Sequence, residues 1–353
     1  MTHPASFIDW ELARATAARV SPPGPAVSQR QAQQAVAELR EAALRAQEPV
    51  AETTRLRAPD GPAALVVDRP TWVDINTHSF AALMDPVVGQ ILDRKKGPQM
   101  PAPMRKVGGA LSGVEVGGVL AFLSTRVLGQ YDHAPGRPAD QARLLLVAPN
   151  VVETEQAMKV DPTDFRLWVC LHEETHRVQF TANPWLREHM VDTARSLLAD
   201  IAPDPDSLRD RVGQLVRTMP DAMREGGGGL VTVVTTPEQR RRLDEVTAVM
   251  SLLEGHADVV MDEVGPQVIP SVASIRRRFE TRRDGLGPVD IILRRLLGLE
   301  AKIEQYRKGA VFVRGVVDRV GMDDFNAVWT SPETLPTPED IEDPQRWIAR
   351  VHG

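Results

Sequence analysis

The sequence predicts a mainly α protein with a small β component, and three observations predict it. Long stretches carry apolar residues at helical spacing between recognisable start and stop signals. The clearest strand candidate is short: "ARLLLVAPN" (142–150), an apolar run closed by Pro149 and Asn150. Near the middle of the chain, "WVCLHEETHRVQF" (168–180) sets two histidines four residues apart, a spacing that converges on a helix.

Taken in order, "SQRQAQQAVAELREAALRAQ" (28–47) follows the loop "SPPGPAV" and is built from good helix formers. A second helical pattern covers about 68–95 and is expected to break at Pro86. The link "KKGPQMPAP" leads into a glycine-rich stretch (107–129). There Gly113 and Gly117, four apart, could seat two helices closely, as in membrane helix pairs. Glu115 and the many glycines interrupt that run, so a tightly packed soluble helix or a glycine-rich turn is expected instead of a span. Asp161 and Pro162 are an N-cap and a first helical residue ahead of the two histidines. A new helix starts at "NPWLREHMVDTARSLLADI", and "GGGG" (226–229) is read as a loop that could border a cleft. Thr236, Pro237 and Gln239 form a start signal for a helix to about 264, and further helical patterns follow at about 271–283 and 288–320. The expected organisation is a helical N-terminal region (1–141) packed on a core (142–330), with a proline- and acid-rich surface tail (331–353), in one compact unit.

A chain that is 42% hydrophobic and 25% charged matches soluble globular proteins, and its net charge of −6 argues against nucleic acid as a partner. The single cysteine, Cys170, excludes an internal disulfide and a cysteine-based zinc cluster, and fits a reducing cytoplasm. No basic region followed by an apolar run opens the sequence, so neither a signal peptide nor a membrane partner is expected.

The chemistry sits in 172–176. On a helix, His172 and His176 lie one above the other and present two imidazoles to one point, as a tetrahedral zinc ion requires of two ligands. Glu173 is turned about 100° from His172, placed to take a proton from a metal-bound water. Phe165, Trp168, His172, Thr175, His176 and Gln179 trace one stripe, so the histidines continue a face that begins apolar. Polar rings on a buried face need partners.

A catalytic zinc site has three protein ligands and an open fourth position. The helix from 236 has an apolar stripe through Leu243, Val246, Met250, Leu253, Ala257 and Met261, and Glu254 lies about 40° from Met250. That makes Glu254 the expected third ligand, with Asp258 one turn further on, where it could orient a ligand histidine. His256 is the rival; it points about 160° from Glu254 and is expected in solvent. An oxyanion donor could be Tyr306 in "IEQYRKGAVF" or Tyr131 in "LGQYDH", with Arg307 and Lys308 as alternatives. The arginines of "IRRRFETRRDG" (275–285) read first as a solvated helical face.

With these residues assembled, the chain resembles an actinobacterial zincin-like family of zinc-dependent metalloproteases or hydrolases, part of which is associated with coenzyme F420 biosynthesis. The resemblance is carried by "IDWELARATAARVSPPGP", "VLGQYD", "LLLVAPNVVETE", "DFRLWVCLHEETHRVQF", "SLLEGHADVVMDEVG" and "QYRKGAVFV". It implies a mainly helical zincin-like fold with the His-Glu-x-x-His motif on a central helix. It also implies His172, His176 and Glu254 as zinc ligands and Glu173 as the base. The expected activity is zinc-dependent hydrolysis of a peptide or amide. Two other expectations are a binding scaffold with structural zinc, which would have no use for Glu173, and a hydrolase of an F420-like γ-glutamyl tail.

Overall fold

The computed structural model describes residues 8–59, 61–94, 102–132, 142–201, 237–284 and 299–353. The helices are α1 (Trp10–Val20), α2 (Gln29–Arg45), α3 (Gln47–Thr54), α4 (Arg69–Arg94), α5 (Ala102–Ser124), α6 (Ala148–Met158), α7 (Pro162–Thr181), α8 (Pro184–Ile201), α9 (Pro237–Val268), α10 (Val272–Asp284), α11 (Leu299–Phe325), α12 (Pro338–Glu342) and α13 (Pro344–His352). The strands β1 (Leu65–Val67), β2 (Gly129–Asp132) and β3 (Arg143–Val147) form a sheet of order β1-β3-β2. The fold is mainly α with a small sheet. The predicted strand is β3, its central member, parallel to β1 and antiparallel to β2. Among the described residues no helix is long and apolar enough to cross a membrane.

Two compact units are distinguished, Met1–Arg187 with Val260–Phe279, and Glu188–Val259 with Glu280–Gly353. In the first, Asp161 caps α7 by accepting from the Asp164 N–H at 3.0 Å, as its sequence predicts. α7 is buried along most of its length, with Phe165 and Leu171 fully covered among Leu39, Val50, Val260 and Met261. Each such side chain contributes about 1.5–3 kcal/mol, which is what makes this helix a rigid platform. Arg166, almost fully buried, is neutralised by Glu155 and Glu38.

Gly113 and Gly117 pack against α1 inside the fold. A Cβ on Gly113 would stand 2.6 Å from the Asp9 carbonyl oxygen, and one on Gly117 2.5 Å from that of Ala13. Pro86 does not break its helix: α4 runs through it, with Val87 buried and Asp85 accepting from the Trp10 indole N–H at 3.0 Å. Tertiary packing on both sides of the proline outweighs a local cost of about 3 kcal/mol.

In the second unit, α9 and α11 touch backbone to backbone. A Cβ on Gly255 would lie 2.2 Å from the Gly309 carbonyl carbon, and one on Gly309 1.9 Å from the Ser251 oxygen. α11 kinks at Gly321, which takes φ 83°. Phe312, Phe325, Trp329 and Trp347 form an aromatic core, and the segment expected as a surface tail folds into α12 and α13 with Trp347 fully buried. The "GGGG" loop, Thr236 and residues 95–101 of the linker lie outside the described residues.

Candidate metal centre

The two histidines meet because of where α7 places them. Their Nε2 atoms are 3.2 Å apart and their rings stand edge to face at 86°, with centroids separated by 4.7 Å. His176 Nδ1 donates to Gln179 Oε1 at 2.9 Å, since an amide oxygen can only accept. With that proton on Nδ1, the Nε2 lone pair points toward His172. Gln179, fully buried one turn on, therefore sets the tautomer of His176.

His172, His176 and Glu254 each offer a ligand atom, and these atoms lie within 4.8 Å of one another; all three residues are partly exposed. Nitrogens bound to a tetrahedral ion at about 2.0–2.1 Å stand about 3.3 Å apart, so the spacing of the imidazoles fits such a metal. The donor set is two imidazoles and a carboxylate, borderline in softness, which suits a transition-metal ion better than calcium or magnesium.

Beside the pair, the two glutamates of "HEETH" have different surroundings. Both oxygens of Glu174, 1% exposed, accept from Arg177 at 2.7 and 2.6 Å. Burial pushes the Glu174 carboxyl up, and Arg177 offsets this only in part. Glu173, 7% exposed, stands against the first residue of β2. Cys170 is buried with its sulfur 3.8 Å from the Leu39 carbonyl oxygen, and burial raises its thiol far above the usual range.

The remaining sequence candidates are placed as follows. Tyr131 lies on β2, almost fully buried and stacked on Phe180 with centroids 6.0 Å apart; burial raises its phenol, so it stays a neutral hydroxyl. Asp258 is partly buried on α9, one turn beyond Glu254. Tyr306 is on α11, with its side chain outside the described residues. His256 corrects an expectation. It is not in solvent but 0% exposed, with its ring 5.5 Å from Phe325 and 5.4 Å from Trp329. Of the arginines at 275–285, Arg276 pairs with Asp262 and Arg278 donates to the Met158 carbonyl at 2.7 Å, which ties both to the fold. The sequence marks Gln179 only as part of the stripe; its distance of three residues from His176 is the signal for a partner role.

The chain belongs to the zincin-like metallopeptidase family, whose model matches residues 8–348. It is thereby an enzyme of the hydrolase class and of metalloprotease type. It is similar to a protein from Chloroflexus aurantiacus whose crystal structure is described as "a putative hydrolase with a novel fold". The two share 31% sequence identity with a TM-score of 0.68, over 98% of this chain and 99% of the other. No curated protein matches it.

Proposed function

We propose that the protein is a cytoplasmic zinc-dependent hydrolase of peptide or amide bonds, with His172, His176 and Glu254 as metal ligands and Glu173 as general base. The observation that carries this reading is the convergence of two imidazole nitrogens and one carboxylate oxygen within 4.8 Å, next to a buried glutamate. A zinc ion held by His172, His176 and Glu254 would supply Lewis-acid chemistry, polarising a scissile carbonyl and making water easier to deprotonate.

The chain's own residues do the rest. The hydrogen bond to Gln179 keeps the His176 proton on Nδ1 and its Nε2 available as a ligand. The Glu173 carboxylate accepts a proton from the attacking water and returns it to the departing amine nitrogen. Its near-complete burial limits exchange of that proton with solvent. Tyr131, held as a neutral hydroxyl, is a candidate donor to the developing oxyanion, as is Tyr306.

The test is metal content and turnover in one preparation. One zinc per chain is expected, with hydrolysis of a quenched-fluorescence peptide mixture or of a γ-glutamyl amide panel that includes F420-type tails. Glu173→Gln should lower turnover by about 10²–10⁴-fold while zinc stays bound. Wild-type turnover by that variant removes Glu173 as the base, and protein that purifies without stoichiometric metal overturns the reading.

A further inference from the structure

β2 opens with a glycine, and the reason lies on α7. A Cβ built on Gly129 would stand 2.5 Å from Glu173 Cγ, 2.6 Å from Cδ and 2.8 Å from Oε1. Non-bonded carbons settle at about 3.5–4.0 Å, so this is a collision with the carboxylate arm itself. Glycine inside a strand marks a close approach of this kind.

β2 has little room to step aside. Its backbone pairs with β3 from Gly129 to Asp132. Gln130 Oε1 accepts from the Trp72 indole at 2.8 Å, and Gln130 Nε2 donates to Asn76 Oδ1 at 2.9 Å. Tyr131 is stacked on Phe180, and Asp132, 1% exposed, accepts from Ser79 at 3.2 Å. α7 is equally fixed by its core. The mobile partner in any collision at 129 is therefore the Glu173 side chain, which can rotate about its own bonds.

From this we infer that Gly129 is a positioning residue for the hydrolytic site: its missing side chain leaves room for the carboxylate of Glu173, the residue after His172 on α7, in the position it holds against β2. The inference rests on the reading of Glu173 as general base. The three atoms nearest to a Cβ at Gly129 all belong to Glu173. Gly129 acts only through Glu173.

The experiment uses the full-length zinc-loaded protein, the peptide mixture as probe, and Gly129→Ala alone and combined with Glu173→Gln. Displacing a catalytic group by about 1 Å costs on the order of 10²-fold, so Gly129→Ala should lower kcat by about that factor with KM little changed. Zinc should remain at one per chain. On the Glu173→Gln background the alanine should cause no further loss, because the group it displaces no longer takes a proton; a generally damaged strand would lower the residue of activity again. A crystal structure of Gly129→Ala should show the Glu173 carboxylate turned away while β2 and α7 keep their backbones. Unmoved Glu173, wild-type kcat, loss of zinc, or additive losses in the double variant would each overturn the inference. Failure of the general-base reading appears elsewhere, in wild-type protein without zinc-dependent turnover or in a fully active Glu173→Gln. In that event the crystal structure still decides whether Gly129 positions the carboxylate.

Discussion

α7 and the stretch of α9 around residue 256 each carry histidine in a helix, and they treat it in opposite ways. His172 and His176 are partly exposed, face each other through Nε2, and one of them has its far nitrogen held by Gln179. His256, two residues beyond Glu254, is fully buried and flanked by Phe325 and Trp329. Residue type is the same in both places, while neighbours decide the role. An imidazole becomes a ligand where polar partners orient it and an open side remains. It becomes core where aromatic faces close over it.

Three substitutions can break or sharpen this contrast. The largest effect belongs to His172→Ala, which removes one of the three proposed ligands: zinc measured after dialysis should fall well below one per chain, and hydrolysis should vanish. His256→Ala should do the reverse, costing about 2–4 kcal/mol of stability through a cavity among the aromatic rings while zinc stays stoichiometric. Denaturant unfolding and metal analysis on one sample separate the two cases. If His256→Ala lost zinc as completely as His172→Ala, the division between ligand and core would be wrong. Smallest is Gln179→Ala, expected to weaken metal affinity about 10–100-fold, as loss of a partner to a ligand histidine does. Competition with a calibrated chelator measures it, and unchanged affinity would mean that Gln179 does not orient His176.

Much of the candidate site is legible in the sequence alone. The cap at Asp161, the helical stripe and the four-residue histidine spacing all follow from interactions inside one or two turns. The strand at 143–147 announced itself as an unbroken apolar run. Other outcomes escape the sequence for a shared reason. Pro86 stays inside α4, and His256 is buried, because each outcome depends on packing partners far away in the chain. The spacing of Gly113 and Gly117 would allow a close approach of two helices, yet only the fold supplies α1 as their partner.

By itself, then, the sequence determined the mainly helical class and the presentation of His172 and His176 on one helical face, since periods of 3.6 residues and end caps are local physics. It also singled out Glu254 as a polar group on an apolar stripe. The tertiary structure alone decided which distant groups meet: Glu254 with the histidines, and Gly129 against Glu173. Such contacts join positions tens of residues apart, and their distances are set by close packing of the whole core, which no local pattern encodes.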